Sequence, residues 1–451
     1  MSEQAKSEPQ AQPAPGDSSR LVSSQMVKVY VIALVLVILA EWIGLVRWTP
    51  IQKLTILLVP FVHTIWLSVL FAPQVLGRWV KVYNLSDSAW AAGIILTAVY
   101  PLMARYGTLV GPNVPQLLKA GFALVLQEAG NNWGAIVIAL PIGILLGLRR
   151  EVIGACYSVA REPNLGLIAD IYGLETPEGR GVVGTYVTGT VLGTAFFSIL
   201  GSVFALTAPA IFHPLALAMA MGIGSASMMT AGAATLSEAI PAYKDQILAF
   251  AVASNLITGV TGLYASWLIG LPFAEWVYRI MGKRKEGVDK VFSLTHKQER
   301  PKINLGWTFF HLVLICILTL IGNWVAVKVP PWVALPGMLL LFGVCVVGVL
   351  LARYVPIYIP TIAYIGTISL VMTLPGMPYS KQVLAAVGKV NFLALATPII
   401  AFTSLSIAKD IDAFRKQGWR IVVAALITLF AVFFSAAVIA EVVLRIQGFP
   451  R

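Results

Sequence analysis

The fold class is decided by the longest stretch of the chain that carries no charged side chain. Residues 181–237 read GVVGTYVTGTVLGTAFFSILGSVFALTAPAIFHPLALAMAMGIGSASMMTAGAATLS, without one Asp, Glu, Lys or Arg. A membrane-spanning helix needs about 20 apolar residues, so this stretch is long enough for two spans. Pro209 and Pro214 predict the turn between them, because proline does not continue a helix.

The composition of the whole chain agrees with that stretch. Of its 451 residues, 58% are hydrophobic and 12% are charged, whereas a soluble domain has about 25% charged residues. So little charge cannot cover a surface in water, which excludes a soluble globular enzyme. Apart from 29–46, which is interrupted only by Glu41, the other charge-free runs are 54–77, 88–104, 129–148, 246–274, 303–327, 333–352, 354–380, 390–408 and 421–440. Aliphatic runs rich in glycine indicate helices rather than a barrel. We therefore predict an all-α, polytopic helical membrane protein with about 10–14 membrane segments.

The basic residues divide this membrane protein into parts. The net charge is +12, and residues 279–302 alone contain eight Lys or Arg against three acids. Cytoplasmic loops carry such an excess. The predicted divisions are a disordered tail at 1–28, a first transmembrane part at 29–278, a basic cytoplasmic loop at 279–304 and a second transmembrane part of five spans at 305–446. Odd numbers of spans on both sides of the loop predict inverted repeats. Because basic residues in scattered loops form no continuous footprint for phosphates, we expect no nucleic-acid partner.

Polar side chains within apolar runs indicate functional sites, because each costs free energy in hydrocarbon unless protein or water satisfies it. The first cluster is Gln127-Glu128-Ala129-Gly130-Asn131-Asn132. Glycine and paired asparagines predict a broken helix there. We expect Glu128 and Gln127 to bind a coupling ion, and Asn131 and Asn132 to bind substrate. A loop between two helices at the membrane surface is the alternative.

Small and hydroxyl residues form the second cluster, within Gly222–Gly232. Unwinding of this run would expose backbone amides and the hydroxyls of Ser225, Ser227 and Thr230 to a substrate. Close helix packing through small residues is the alternative interpretation.

Two further clusters contain candidate site residues. In Arg161-Glu162-Pro163-Asn164, we expect Arg161 and Asn164 to bind an anion, since guanidinium pairs bidentately with carboxylate, and Glu162 to take part in ion coupling. A solvated loop is the alternative. Asn255 and Thr258 are three residues apart and so share a helix face, which predicts that they line the substrate site. Hydroxyl bonding back to the same helix is the alternative.

These clusters resemble those of the superfamily of bacterial secondary transporters that includes sodium/glutamate symporters and cation/proton antiporters. The resemblance rests on Gln127–Asn132, on the Gly222–Gly232 run and on the two oppositely oriented parts. It implies inverted repeats, crossed broken helices and movement against a scaffold. The sequence around Arg161–Asn164 and Thr176–Gly181 also resembles an uncharacterised family of bacterial integral membrane proteins. The 222–232 run lacks the glycine- and histidine-rich signature of the glutamate symporters, which argues against glutamate as the substrate.

The expected function is ion-coupled secondary transport of a small anionic metabolite by alternating access, in the bacterial inner membrane. We expect no catalytic residues, metal site or cofactor, with Na⁺ or H⁺ as the coupling ion. The expected partners are an organic anion and the lipid bilayer, and a homodimer stays open. Two alternatives remain. One is a channel or holin-type export protein. The other is a membrane-embedded enzyme that uses Arg161, Glu162, Asp170 and Glu178.

Overall fold

The computed structural model describes residues 23–51, 54–157, 162–173, 176–207, 210–281, 304–355, 361–416 and 418–449. Four predicted features lie outside these ranges: most of the tail (1–22), most of the basic loop (282–303), the turn at Pro209 and the residue Arg161. The first helix begins at Ser24, so the last residues assigned to the tail are helical.

The elements of the first part follow one another as short and long helices with one hairpin. They are α1 Ser24–Ile43, β1 Val46–Ile51, β2 Leu54–Leu58, α2 Pro60–Leu70, α3 Gly77–Val80, α4 Leu85–Lys119, α5 Gly121–Gly134, α6 Leu140–Leu145, α7 Glu151–Ala155, α8 Glu162–Ile171, α9 Pro177–Thr188, α10 Thr194–Thr207, α11 Pro214–Met221, α12 Ala226–Ala239, α13 Lys244–Ala265 and α14 Leu271–Met281. Three π-helical segments join α5 to α6, α9 to α10 and α13 to α14; they are Ala135–Ala139, Gly189–Gly193 and Ser266–Gly270.

The second part is helical wherever it is described. Its helices are α15 Leu305–Val327, α16 Pro331–Tyr354, α17 Thr361–Met372, α18 Ser380–Val387, α19 Phe392–Ser406, α20 Ile411–Lys416 and α21 Trp419–Ile446. Two 3₁₀ turns, Pro241–Tyr243 and Ile407–Lys409, complete the chain's described helical elements.

Seven helical segments of the described chain are long and apolar enough to cross a membrane. They are Ser24–Ile43, Leu85–Lys119, Pro177–Leu206, Leu305–Val327, Pro331–Tyr354, Phe392–Lys409 and Trp419–Ile446. Two shorter apolar helices, α2 and α17, accompany them. The all-α polytopic class is thus confirmed, and the protein is an integral, multi-pass membrane protein. The predicted division into parts and the inverted repeats stay predictions.

One hairpin departs from the all-α expectation. Strands β1 and β2 pair antiparallel, with Val46 opposite Leu58, in a stretch that includes the start of the charge-free run 54–77. β-Branched and aromatic residues such as Val46, Trp48 and Ile56 favour a strand, and the segment packs against α10.

Helix α4 lies at the centre of the molecule. It packs against α13, α17 and α19, and most of its middle residues are buried. An Asn84–Asp87 capping box starts it, which satisfies two backbone amides that the first turn leaves open. Its close contact with α17 depends on Gly107, where a β-carbon would overlap the Gly366 carbonyl. The candidate site lies between α5 and α13, and Tyr106 of α4 contacts Thr230 of the same region.

Two helix breaks lie next to buried helices. The first separates α11 from α12 at residues 222–225, within the small-residue run for which unwinding was predicted, and Gly224 has a φ of +92° that favours glycine. The second separates α18 from α19 at residues 388–391 and was not predicted. The break predicted at 127–132 is wrong, because α5 is helical throughout that stretch.

Candidate functional site

Glu128 is a buried carboxylate between α5 and α13. It has 8% of its surface exposed. Its Oε1 accepts a hydrogen bond from Thr258 Oγ1 at 2.6 Å and another from Gln127 Nε2 at 2.7 Å. Such hydrogen bonds stabilise the charged form of a carboxylate. Glu128 thus joins α5 to α13 through these hydrogen bonds.

Gln127 and Ser254 extend this group of oxygen atoms. Gln127 is fully buried, and its Nε2 also donates to Ser254 Oγ at 3.0 Å. Its Oε1 is buried and has no hydrogen-bond partner among the described residues. A buried acceptor without a partner is uncommon in native structures, which marks Gln127 as a candidate functional residue.

The first helix break touches this group directly. A β-carbon on Gly222 would overlap Ser254 Cβ and the Ala251 carbonyl, so only glycine allows α13 to approach this closely. Asn255, the next residue of α13, donates from Nδ2 to the carbonyl oxygens of Gly222 at 2.7 Å and Gly224 at 3.2 Å. These bonds satisfy carbonyls that the interrupted helix leaves open.

Asn132 of α5 bonds back to its own helix rather than breaking it. Asn132 Nδ2 donates to the Glu128 carbonyl oxygen at 2.9 Å, one turn back. Its Oδ1 accepts a hydrogen bond of 3.3 Å from Ser266, in the π-helical segment that joins α13 to α14. The side chain of Asn131 lies outside the described residues. The amide of Asn132, a predicted substrate ligand one turn from the carboxylate, therefore bonds within α5 and to Ser266.

The hydroxyls after the first break lie at the start of α12. Ser225 Oγ accepts from the Met228 amide at 3.3 Å and lies 2.9 Å from Ser227 Oγ. Thr230 Oγ1 lies 3.1 Å from the hydroxyl of Tyr106 on α4. The Tyr106 ring also contacts that of Phe392, the first residue of α19, with centroids 5.2 Å apart. The first residue of α19 and the second turn of α12, one helix after each break, therefore both contact Tyr106.

The cluster at 161–164 is described only in part. Arg161 lies outside the described residues, and so does the side chain of Glu162, whose backbone begins α8. Asn164 is buried, and its Oδ1 has no hydrogen-bond partner in the described part of the chain. Their assignment as an anion site stays a prediction.

A buried ion-pair network lies nearby, and sequence reasoning did not identify it. Arg150, in the turn before α7, is 7% exposed. Its Nε donates to Glu178, and one of its terminal nitrogens donates to Glu275 at 2.5 Å. Tyr172 donates to the same Glu275 oxygen at 2.7 Å. Burial alone lowers the pKa of Arg150, but the hydrogen bonds and charges of Glu275 and Glu178 outweigh it and raise that pKa. The network fixes α7, α8, α9 and α14 together.

The second break also has an asparagine beside it. Asn323 of α15 donates from Nδ2 to the Lys389 carbonyl at 3.2 Å, and its Oδ1 accepts from the Asn391 amide at 2.7 Å. Both breaks are thus held by a neighbouring helix through one asparagine. The sequence signal for the second was weak, because Gly388-Lys389-Val390-Asn391 reads as an ordinary polar loop.

Within the described ranges, no three His, Cys, Asp or Glu side chains form a group that could hold a metal ion. Residues 38–280 match the model of a family described as protein of unknown function (DUF3100). This match covers more than half of the chain. The chain belongs to this family. No curated protein and no solved structure matches the sequence of this chain.

The family match contains the whole Glu128 group. Gln127, Ser254, Thr258 and the first break all fall within residues 38–280. The second break, with Asn323, falls outside it. The resemblance to an uncharacterised membrane-protein family agrees with this match, whereas membership of the transporter superfamily belongs to the proposal below.

Proposed function

We propose that this protein is an ion-coupled secondary transporter of a small organic anion, working by alternating access in the bacterial inner membrane. The observation that carries the proposal is the contact between a buried carboxylate and an unwound helix. Glu128 bonds to Thr258 and Gln127, Gln127 bonds to Ser254, and Ser254 packs against Gly222 in the first break.

The coupling step follows from this arrangement. Broken helices in transporters supply backbone groups to ions and substrates. When Na⁺ or H⁺ occupies the Glu128 group, the carboxylate charge is neutralised, and the hydrogen bonds of Thr258 and Gln127 change. Because Ser254 and Asn255 belong to the same helix as Thr258, such a change reaches the first break within one turn. Ion binding would thereby alter the segment that faces the substrate.

The substrate class follows from the two helix starts near Tyr106. The amino-terminal end of a helix carries a partial positive charge and open amide donors, which favour an anion. Tyr106 contacts Phe392 at the start of α19 and Thr230 in the second turn of α12. A small carboxylate would find two such ends together with the hydroxyls of Ser225 and Ser227.

Ligand-dependent thermal unfolding of the purified protein tests the proposal. Na⁺ is titrated against choline at constant ionic strength, pH is varied separately, and small carboxylates are screened with and without the effective ion. A ligand that binds only the folded state stabilises it by about 2.7 kcal/mol at a hundredfold excess over its Kd. We expect one ion to raise Tm, and at least one carboxylate to raise it further only when that ion is present.

Two variants make the test specific. Glu128→Gln should lose the response to the ion. Glu238→Gln should keep it, because Glu238 is paired with Lys244 at 2.6 Å, away from the Glu128 group. An ion response of equal size in Glu128→Gln would overturn the assignment of the ion site. The absence of any ion-dependent carboxylate response would argue against anion transport.

A further inference from the structure

Glu41 is a second buried carboxylate, which the proposed transport site does not use. It lies near the end of α1 with 5% of its surface exposed, and the hydroxyl of Thr397 on α19 donates to its Oε1. The same hydroxyl lies 3.0 Å from the Leu393 carbonyl of its own helix. Thr258 has the same two kinds of contact, to Glu128 and to the Ser254 carbonyl. The two carboxylates are thus held by equivalent threonines.

The second helix break lies beside Glu41. A β-carbon on Gly322 of α15 would lie 3.9 Å from Glu41 Cγ, so α15 packs closely on this side chain. The next residue, Asn323, is the one that bonds to Lys389 and Asn391 in the break. Glu41 therefore contacts α15 next to the residue that holds the second break, and its threonine partner lies on the helix that follows that break.

The charge environment of Glu41 differs from that of other carboxylates. Several of these form ion pairs with a cation: Asp87 with Lys28, Glu178 and Glu275 with Arg150, and Glu441 with Arg445. Among the residues that the structure describes, no lysine or arginine forms an ion pair with Glu41. A buried carboxylate without a cation is costly as an anion. It lowers that cost by binding a proton or a positive ion.

The helices packed against α1 are α2, α4, α15 and α19. Their titratable groups are the possible partners of Glu41. These groups are His63, bonded to the Gly44 carbonyl at 3.1 Å; Asp87, paired with Lys28; the buried Tyr100; Arg105, bonded to Thr108; the buried Tyr106, bonded to Thr230; the exposed Lys119; His311, bonded to Tyr30 at 2.7 Å; and the buried Cys316. Helix α19 has no titratable side chain between Phe392 and Ser406. None of these groups bonds to Glu41 within the described chain.

The small number of oxygen ligands distinguishes a proton from a metal ion. Hard cations such as calcium and magnesium take about six oxygen ligands. Beside Glu41, the described hydrogen bonds supply the hydroxyl of Thr397, and the amide of Asn323 is already bonded to the break. A proton needs only one carboxylate oxygen.

We propose that Glu41, held by Thr397 beside the second helix break, is a second proton-binding site of this protein. The purpose of this site rests on the proposed function: a second proton would be exchanged when α1 and α19 move apart. The binding of the proton itself does not depend on transport.

Infrared difference spectroscopy of the full-length protein in lipid tests it, because a protonated carboxyl has a C=O band that a carboxylate lacks. We expect a protonated-carboxyl band in the wild type that is lost in Glu41→Gln. Thr397→Val should shift that band to higher frequency, because the carbonyl oxygen loses its hydrogen bond. Glu441→Gln is the matched control. Glu441 is equally buried but paired with Arg445, so its removal should leave the band unchanged.

Each outcome decides the inference separately from transport. Spectra of Glu41→Gln and Thr397→Val that both equal the wild-type spectrum would overturn the proton site. If Glu41→Gln does not fold, the frequency shift in Thr397→Val decides. Loss of the band in a protein without ion-dependent ligand binding would leave the Glu41 site standing and remove the transport proposal alone.

Discussion

Thr258 donates its hydroxyl hydrogen to Glu128 over 2.6 Å, and the same oxygen lies 3.0 Å from the Ser254 carbonyl of its own helix. One hydrogen atom therefore has two acceptors. If Glu128 takes up a proton or a cation, as proposed above, its oxygens become weaker acceptors, and the hydroxyl is free to turn fully towards Ser254. The contact thus gives α13 a direct way to respond to the charge on α5.

Thr258→Val tests this contact. The side chain keeps its shape but loses the hydroxyl, so we expect the apparent affinity for the coupling ion to change by about tenfold, since a hydrogen bond to a charged group contributes about 1.5–3 kcal/mol. Ion titration followed by thermal unfolding measures it. Thr319→Val is the control, because Thr319 is buried and bonds back to Ile315 in α15. Equal ion affinities in both variants would contradict the role of Thr258.

Asn255→Leu tests the support of the first break. Loss of the amide leaves the carbonyls of Gly222 and Gly224 without this donor, which costs about 1–3 kcal/mol for a buried group. We expect a lower Tm together with a weaker ion response. Asn113→Leu is the matched control, since Asn113 bonds to the Leu109 carbonyl of its own helix. An ion response in Asn255→Leu equal to that of the wild type would contradict the proposed connection between the first break and the ion site.

Arg150→Met tests the buried ion-pair network. Removal of one partner of a buried pair typically costs about 3–5 kcal/mol, and here it leaves Glu178 and Glu275 without their shared cation. We therefore expect a large fall in Tm. Lys244→Met should cost about 1 kcal/mol or less, because Lys244 is 39% exposed in its pair with Glu238. Similar stabilities of the two variants would show that the network contributes little.

Gly154→Ala and Gly181→Ala test the contact between α7 and α9. A β-carbon on Gly154 would overlap the Glu178 carbonyl, and one on Gly181 would overlap the Glu151 carbonyl. Overpacking of this kind costs about 1–3 kcal/mol, which we expect to see as a lower Tm. Gly93→Ala, where nothing lies within 4 Å of the new carbon, should not lower it. A Tm unchanged from the wild type in both α7–α9 variants would contradict this packing.

The membrane fold could be predicted from the sequence because charge is absent over span-length runs. Gly224 also signalled the first break, since a glycine among small hydroxyl residues neither favours nor stabilises a helix interior. The predicted break at Gln127–Asn132 was wrong for a local reason. Asn132 bonds to the Glu128 carbonyl within the helix, and composition alone does not distinguish this from a break.

The composition of the sites could be predicted only where a residue was unusual by itself. Glu128 stood out as an acid between apolar runs. Ser254 did not, because a single serine in such a run resembles one that bonds back to its own helix. The Glu41–Thr397 pair joins residues 356 positions apart, and no pattern in one sequence indicates such a contact. Near the end of an apolar run, an acidic side chain such as Glu41 is expected to reach the surface, whereas Glu41 is buried.

Coupled uptake in proteoliposomes is the most direct test of Glu128 as the ion-coupling residue. An organic anion identified by thermal unfolding is supplied outside vesicles that contain the wild type, Glu128→Gln or Glu238→Gln, with and without an inward gradient of the effective ion. We expect the gradient to drive saturable accumulation in the wild type and in Glu238→Gln, and to have no effect in Glu128→Gln. Gradient-driven accumulation by Glu128→Gln at the wild-type rate would contradict the proposed mechanism.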